Sequence, residues 1–487
     1  MKGVSMLTMA RAAWAVVRYA VVVPLLQLAV YLCAAMSLML FAERLYMGLV
    51  VAALWLRRRR RQRRSPSRNK GGDDDDLESG AAEDLPLVLV QIPMFNEKQV
   101  YRLSIGAACG LWWPADKLVI QVLDDSTDAG IRAMVEAECR RWAGKGVQIR
   151  YENRSNRSGY KAGAMREGLK KGYAKDCELV AVFDADFQPD ADFLRRTVPV
   201  LQADPSVALV QARWRFVNAD ECILTRIQEM SLDYHFSVEQ EVGSACHGFF
   251  GFNGTAGVWR VQALADAGGW KDRTTVEDMD LAVRASMRGW RFVYAGDVQV
   301  SAWKKVHVLY GFFFVRKVVA HLVTFLFYCV VIPAYVLVGG QDVRLPKYVA
   351  MYVPAIITLL NAVCTPRSWH LLVFWILFEN VMSMHRSKAT IIGLVEASRA
   401  NEWVVTEKLG SVTSSTPAAT TTMATNKGAT KKKKSQSSIL APEIVMGLCL
   451  LYCAVYDIVF GHDHFYVYLL MQSAAAFVIG FGYVGSQ

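Results

Sequence analysis

Long apolar runs near both ends of the chain flank a central part in which short apolar runs alternate with polar ones. Ala20–Ala42 has 23 residues, with Gln27 as its only strongly polar member. A run of more than about 18 apolar residues is typical of a helix that spans a membrane. The pattern therefore predicts membrane helices on both sides of a folded domain.

The C-terminal part has further apolar runs that are long enough to be plausible spans: Val318–Leu337, Tyr348–Cys364, Ile439–Phe460 and Phe465–Val484. Two other segments are weaker. Met47–Leu56 is too short to cross alone, and we expect it to continue along the interface. His370–Met384 contains Glu379 and Asn380, so an interfacial helix and a span both fit it.

The central part has the rhythm of alternating strands and helices. Four short apolar runs predict buried strands: Leu87–Ile92, Leu118–Leu123, Leu179–Phe183 and Val207–Val210. Amphipathic stretches such as Ile131–Trp142 separate them. This order predicts an α/β domain with a parallel sheet and crossover helices.

The composition divides the chain into six regions. The N-terminal membrane helix with its basic flank covers residues 1–64, and a polar linker covers 65–84. The α/β domain takes 85–300, and further membrane segments take 301–410. Residues 411–438 are rich in Ser, Thr and Lys and predict a disordered loop, which a C-terminal helix pair follows at 439–487.

The chain is 53% hydrophobic and carries a formal net charge of +11. Seven arginines in Arg57–Arg64 and four lysines in Lys431–Lys434 account for that whole excess. The basic balance is therefore local and does not predict binding to nucleic acid. Because the arginine tract adjoins a membrane helix, it predicts that this end faces the cytoplasm.

Acidic residues follow two of the predicted strands. Asp124 and Asp125 come after the second strand, where ligands of open α/β sheets bind, although a turn or a helix cap also fits. Asp184 and Asp186 follow the third strand. Two carboxylates at a strand end are a candidate site for Mg²⁺ or Mn²⁺.

Three further groups carry candidate chemistry. Glu277 and Asp278 precede a predicted helix, where they are either functional or merely its acidic first turn. Asn96 and Glu97 end the first strand, and Lys161 follows a loop that could meet phosphates. No G-x-G-x-x-G follows the first strand, which disfavours a nicotinamide-dinucleotide enzyme.

These groups, taken in order and lying between membrane segments, resemble the family 2 glycosyltransferases. Within that family the chain closely resembles the plant cellulose synthase-like A proteins. The stretches that carry the resemblance lie at 120–128, 181–189, 248–260, 275–282, 371–386 and 394–411. The resemblance implies a GT-A fold (Rossmann-like) inserted between transmembrane helices.

The resemblance also implies roles for the residues. Asp124 and Asp125 would hold the nucleotide, while Asp184 and Asp186 would hold the donor diphosphate and the metal. Asp278 would be the general base, with Asp125 and Glu277 beside it in the catalytic set. The substrates would be GDP-mannose and GDP-glucose, which an inverting reaction adds to a growing β-1,4-mannan or glucomannan acceptor.

One further stretch resembles a gating loop that lies over the nucleotide in bacterial cellulose synthase. Its matching residues are Trp403, Thr406 and Lys408. Such a loop must lie on the same side of the membrane as the catalytic domain. This parity favours two spans between Val300 and Trp403, with His370–Met384 in the interface. For the gating-like stretch itself, an amphipathic cytosolic helix is the alternative.

The chain departs from the family pattern at one place. The family has Q-x-x-R-W, whose Trp stacks on the acceptor sugar, a few tens of residues after the Glu-Asp pair. No such motif follows Asp278. Gln211-Ala212-Arg213-Trp214 has the wrong spacing and lies upstream. We therefore expect impaired or absent polymerisation, with donor binding retained.

Alternatives to an active mannan synthase remain open. One is a catalytically inactive scaffold that pairs with a full-length synthase, and another is a β-1,4-glucan synthase of the cellulose synthase-like C type. A transporter is disfavoured, because charges within the predicted spans are few. The resemblance further implies a multi-pass protein of the Golgi membrane, embedded in the lipid bilayer, that forms homo- or hetero-oligomers with other synthases.

Overall fold

The computed structural model describes residues 6–64, 85–154, 156–274, 276–294, 307–339, 342–363, 366–395, 440–461 and 464–482. The predicted linker at 65–84, the gating-like loop with Trp403, Thr406 and Lys408, and the predicted disordered loop at 411–438 lie outside these residues.

The α/β domain is built on a seven-stranded mixed sheet in the order β3-β2-β1-β4-β6-β5-β7. Its strands are β1 Val88–Met94, β2 Leu118–Asp124, β3 Ile149–Asn153, β4 Leu179–Val182, β5 Val207–Gln211, β6 Gly257–Arg260 and β7 Arg291–Tyr294. The four strands predicted from apolar runs are confirmed as β1, β2, β4 and β5, and the GT-A-like α/β class is confirmed with them.

The prediction of a parallel sheet is wrong at β6, which runs antiparallel to both β4 and β5. The loop before β6 lies at the carboxyl end of β4, where the backbone N–H of Asp184 donates to Thr255 Oγ1 at 3.0 Å. Because β6 starts at that edge, it must run back across the sheet in the opposite direction.

Helices cover both faces of the sheet. They are α3 Tyr101–Cys109, α4 Ala129–Ala143, α5 Tyr160–Leu169, α6 Phe193–Ala203, α7 Ile223–Tyr234, α8 Val261–Asp266 and α9 Glu277–Met287. The predicted amphipathic helix is confirmed as α4, whose first turn Asp128 caps by accepting from the backbone N–H of Gly130 at 2.7 Å. Side chains that alternate along β1 enter the two cores, Val90 on one face and Leu89 on the other.

The N-terminal helix is continuous from residue 6 to residue 64. It comprises α1 Met6–Val17, a π-helical turn at Arg18–Val22, and α2 Val23–Arg64. Met47–Leu56, expected as a separate interfacial piece, is part of α2. No proline interrupts the chain between Ala42 and Arg64, so nothing breaks the helix there.

Further apolar helices follow the domain. They are α10 Ala320–Phe325, α11 Ile332–Val338, α12 Val353–Ala362, α13 Leu372–Val395, α14 Ala441–Phe460 and α15 Tyr466–Gly480, with π-helical segments at His307–Val319, Leu326–Val331 and Tyr348–Tyr352. Among the described residues, three helical stretches are long and apolar enough to cross a membrane: Thr8–Arg60, Tyr310–Val338 and Ala441–Phe460. The interfacial placement of His370–Met384 stays a prediction.

Polar and apolar contacts hold α2 against the α/β domain. Arg44 pairs with Glu239 at 3.2 Å, and Arg58 pairs with Glu241 at 2.5 Å. Met47 is fully buried against a small apolar cluster with Tyr234, Val238 and Val242. The domain is therefore held directly against the C-terminal part of α2.

Candidate active site

The loops that follow β1 and β2 are tied together by Asn96. Its backbone N–H donates to Ser126 Oγ at 2.8 Å, and its Oδ1 accepts from the backbone N–H of Thr127 at 3.0 Å. Asn96 has a φ of +55°, a left-handed conformation that asparagine tolerates better than most residues. Asn96 therefore holds the loop after β1 to the loop after β2 at the carboxyl edge of the sheet.

Asp124 is fully buried, and both of its carboxylate oxygens are engaged inside the protein. Oδ1 accepts from the backbone N–H of Ser126 at 2.9 Å, and Oδ2 accepts from the Tyr151 hydroxyl at 2.9 Å. Burial, together with this carboxylate, raises the pKa of Tyr151 and keeps its hydroxyl a donor. Asp124 thus fixes the loop after β2.

Asp125 points instead into a pocket at the carboxyl edge of the sheet. Arg154 grips its carboxylate with two nitrogens, and Nε donates to Oδ1 at 2.8 Å. Both side chains are largely buried, with 6% of Asp125 and 15% of Arg154 exposed. A planar guanidinium that holds a carboxylate in this way fixes its orientation as well as its charge.

Lys161, in the first turn of α5, also lines the pocket. Its Nζ is 2.6 Å from Asp184 Oδ1, 3.0 Å from the Gly254 carbonyl oxygen and 3.9 Å from Glu277 Oε1. Burial opposes the charged form, but Asp184 and Glu277 outweigh it and raise the pKa of Lys161 to about 12. The pocket therefore contains a fixed ammonium group.

Glu277 and Asp278 form the first turn of α9 and face that ammonium group. Burial raises the pKa of Glu277 to about 7, with Lys161 opposing the shift and Asp278 adding to it. Burial also raises the pKa of Asp278, again opposed by Lys161. Asp278 Oδ1 accepts from the backbone N–H of Met279 at 2.7 Å.

Gly254 makes the close approach of Lys161 and Asp278 sterically feasible. It has a φ of +76°, and a Cβ atom at this position would lie 3.1 Å from both Lys161 Nζ and Asp278 Oδ2. A side chain here would press on the two charged groups and would also strain the backbone.

The structure thus brings together most of the predicted residues. The pocket is lined by Pro93, Met94, Phe95, Glu97, Leu123, Asp125, Arg157, Gly159, Tyr160, Lys161, Ala162, Ala164, Asp184, Ala185, Asp272, Thr274 and Glu277. Asp278, the next residue after Glu277, is not part of the lining, and its Oδ2 lies close to Gly254. Asn96 and Asp124 support the loops without lining the pocket, and Asp186 is exposed and outside the lining.

Sequence reasoning missed two arginines at this site. Arg154 holds Asp125, and Arg157 lies in the pocket wall against the ring of Phe95. Their place in the sequence could have indicated them. Both lie in the segment just before Lys161, the residue predicted to contact phosphate, and so add two cations near it.

The carboxylates fit a divalent metal only with help from a substrate. Within the described ranges, no three His, Cys, Asp or Glu side chains gather as a metal-binding group. Asp184 and Asp186 would supply two hard oxygen donors at the end of β4. Mg²⁺ is usually bound through one or two carboxylates together with substrate phosphates, which is compatible with Asp184 in the pocket lining and Asp186 exposed outside it.

The site combines acidic groups and a lysine at one edge of a mixed α/β sheet. The family model described as "Glycosyltransferase like family 2" matches residues 86–312, which cover this sheet and the site.

The chain is 56% identical to "Glucomannan 4-beta-mannosyltransferase 1" of Oryza sativa subsp. japonica, over 97% of this chain and 96% of the relative. It is 55% identical to the protein of the same name from Cyamopsis tetragonoloba, over 98% and 95%. The chain belongs to the glucomannan 4-beta-mannosyltransferase family, as the motifs predicted.

A solved structure, the mannosyltransferase PcManGT from Pyrobaculum calidifontis in complex with GDP-Man and Mn²⁺, is also similar. It is 18% identical with a TM-score of 0.37, covering 93% of this chain and 100% of that chain.

The comparison with the rice relative also bears on the length of this chain. The alignment spans 515 positions, whereas this chain has 487 residues. At least 28 positions of the relative, the difference between the two numbers, therefore have no counterpart here.

Proposed function

We propose that the protein transfers mannose from GDP-mannose, and glucose from GDP-glucose, to the end of a β-1,4-mannan or glucomannan chain. Family membership supports the class of reaction. The observation that carries the site assignment is the cluster of Lys161, Asp184, Glu277 and Asp278 in and beside one pocket. The cluster combines the Lys161 ammonium group and Asp184, proposed to serve the donor diphosphate, with Asp278, proposed to take the proton of the acceptor.

In the proposed reaction the 4-hydroxyl oxygen of the acceptor attacks the anomeric carbon of the donor sugar. The bond from that carbon to the diphosphate oxygen breaks, and the hydroxyl proton passes to the carboxylate of Asp278. A base within hydrogen-bond reach is what this step requires. Single displacement at an α-linked donor gives a β-linked product, so the reaction inverts configuration.

Lys161 and the acidic groups after β4 would serve the leaving group. The Lys161 ammonium is held in place by Asp184 and by the Gly254 carbonyl, from which it can approach a diphosphate oxygen. Asp184 and Asp186 are the residues that would hold Mg²⁺ or Mn²⁺. Such a cation would neutralise negative charge on the departing diphosphate.

The nucleotide would occupy the end of the pocket near Asp125 and Glu97. Asp125 lines the pocket and its carboxylate is oriented by Arg154, which supports direct contact with the nucleotide. Both Asp124 oxygens are engaged by Ser126 and Tyr151, which supports an indirect role for Asp124 in holding the loop.

We also propose that polymer synthesis by this chain is strongly impaired. The sequence has no Q-x-x-R-W after Asp278, so it lacks the Trp that the family resemblance assigns to the acceptor sugar. The unmatched positions of the rice relative are consistent with an internal deletion. Donor binding depends on residues that are present and is retained in this proposal.

The test compares this chain with a chimaera that carries the rice relative's Q-x-x-R-W segment after Val300. Both are reconstituted in lipid and supplied separately with GDP-mannose, GDP-glucose and UDP-glucose, and β-mannanase-sensitive polymer is measured. We expect polymer from GDP-mannose with the chimaera only. Polymer from the parent chain would refute the impairment, and no polymer from either would refute the proposed function.

The missing motif favours one second candidate, a scaffold that pairs with a full-length synthase in the Golgi membrane. Co-expression of the two chains distinguishes the readings. A scaffold would co-purify with the full-length enzyme and raise its yield or activity, even when Asp278 of this chain is replaced by Asn. Preference of the chimaera for UDP-glucose would instead indicate a β-1,4-glucan synthase.

A further inference from the structure

Arg157 lies in the pocket wall and has no role in the mechanism described above. Its guanidinium carbon is 3.2 Å from the centre of the Phe95 ring and 5.2 Å from that of Tyr160. Its Nε is buried, and within the described part of the chain it has no hydrogen-bond partner. A buried donor without an acceptor is unfavourable, and a ligand that supplies an acceptor would relieve that cost.

The nearby carboxylate does not explain why Arg157 is there. Asp125 is the closest acidic influence on Arg157, but Arg154 already grips both oxygens of that carboxylate. Burial lowers the pKa of Arg157, while Asp125 and Tyr160 oppose that shift. Within the described residues the guanidinium therefore has aromatic neighbours in the pocket wall, and its buried Nε has no hydrogen-bond acceptor.

Arg157 and Lys161 both line the pocket, but different charged groups surround them. The charges that act on Lys161 are those of Asp184, Glu277 and Asp278. The groups that act on Arg157 are Asp125, Tyr160 and Arg154. If Lys161 meets the diphosphate, as proposed above, Arg157 is a second cation in the same pocket that is left for another part of the nucleotide.

A guanidinium that lies flat on an aromatic ring directs its N–H donors outward in one plane. The bidentate pairing of such a fork with O6 and N7 is the commonest specific contact that proteins make to guanine. Adenine offers an amino group in place of O6, and uracil has no N7, so neither accepts two such bonds in the same way.

We propose that Arg157 recognises the guanine base of the donor through O6 and N7, and so selects GDP-sugars over UDP- and ADP-sugars. This inference rests on the proposed function, because it takes a GDP-sugar as the donor. Phe95 and Tyr160 act as the platform that fixes the plane of the guanidinium.

The test measures equilibrium binding of GDP, UDP, ADP and 7-deaza-GDP to the full chain in lipid nanodiscs. Arg157→Met keeps an apolar stem on Phe95 and removes all donors, and Arg157→Lys keeps the charge without the fork. The matched control is Arg195→Met, because Arg195 also lies over an aromatic ring, Trp112 at 5.7 Å, but does not line the pocket.

We expect the unaltered chain to bind GDP more tightly than the other three nucleotides. Both Arg157 variants should weaken GDP binding by about 10- to 100-fold, the range of one bidentate base contact, and should change UDP and ADP binding by less than threefold. The variants should also no longer distinguish GDP from 7-deaza-GDP. Arg195→Met should bind all four nucleotides as the unaltered chain does.

Three results would overturn the inference. Equal weakening of GDP, UDP and ADP by Arg157→Met would place the side chain on the diphosphate. Unchanged GDP binding would show that it contacts no part of the nucleotide. If the unaltered chain does not prefer GDP, the proposed donor is wrong, and that failure is seen before any variant is made.

Discussion

Glu277 should destabilise the folded protein at neutral pH, because the site buries its carboxyl group. Its side chain is 11% exposed, and burial raises its pKa from an ordinary value near 4.5 to about 7. Replacing Glu277 by Gln removes the ionisable group and keeps nearly the same shape. The variant should therefore be more stable than the parent chain at pH values above about 7, where Glu277 of the folded parent chain is ionised.

The shift sets the sign and the size of the effect. Between pH 4.5 and about 7 the unfolded chain has released this proton while the folded chain retains it, so stability falls as the pH rises through that window. One pKa unit corresponds to about 1.36 kcal/mol, which makes about 3 kcal/mol the upper bound. Since Lys161 loses a partner in the variant, we expect a gain of about 1–2 kcal/mol at pH 8.

The assay is thermal unfolding in detergent, followed by tryptophan fluorescence at pH 4, 6 and 8. For a domain of this size a gain of 1 kcal/mol raises the midpoint by about 2–4 °C. Glu277→Gln should raise it at pH 8 and leave it unchanged at pH 4. The control is Glu136→Gln, since Glu136 makes only an exposed pair with Arg140. A gain that persists at pH 4, or a loss at pH 8, would refute the reasoning.

Three other substitutions test the same site. Arg154→Met leaves the buried Asp125 carboxylate without its partner and should cost about 3–5 kcal/mol, measured by chemical unfolding; a cost below 1 kcal/mol would contradict this pairing. In the chimaera, Asp278→Asn should abolish sugar transfer while GDP affinity, measured by calorimetry, changes less than threefold; residual transfer would exclude Asp278 as the base. Gly254→Ala should lower the transfer rate at least tenfold, because the added Cβ would press on Lys161 and Asp278 and because the backbone at this position has a positive φ. Activity equal to that of the unaltered chimaera would show that the loop relaxes around the new side chain.

The four predicted strands are all buried on both faces. β1, β2, β4 and β5 consist almost entirely of buried apolar residues, so they stand out as short apolar runs. β3 has the sequence Ile-Arg-Tyr-Glu-Asn and lies at the edge of the sheet, where exposed polar side chains hide the pattern. The direction of β6 depends on where its preceding loop lies, which no local pattern records.

The difference between Asp124 and Asp125 was available from periodicity alone. Consecutive residues on an extended segment point to opposite sides, so one of the two must face away from the ligand. The structure turns Asp124 toward Tyr151 and Asp125 toward the pocket. By contrast, the stacking of Arg157 on Phe95 joins residues far apart in the sequence and follows only from the fold.

The membrane helix and the candidate active site are connected through a short chain of polar contacts. Arg44 on α2 pairs with Glu239 at 3.2 Å, and Glu239 Oε2 lies 2.8 Å from His235 Nδ1. His235 Nε2 lies 3.1 Å from Asn253 Oδ1, and the next residue, Gly254, accepts from Lys161 at 3.0 Å.

These contacts mean that the position of the loop beside Lys161 depends on a helix outside the α/β domain. The same surface of the domain, at Tyr234, Val238 and Val242, is covered by Met47 of that helix. A fragment that begins after the linker would expose this apolar surface and would also lose the pairing of Glu239 with Arg44. The membrane segment is therefore part of the scaffold that positions the site, in addition to anchoring the protein.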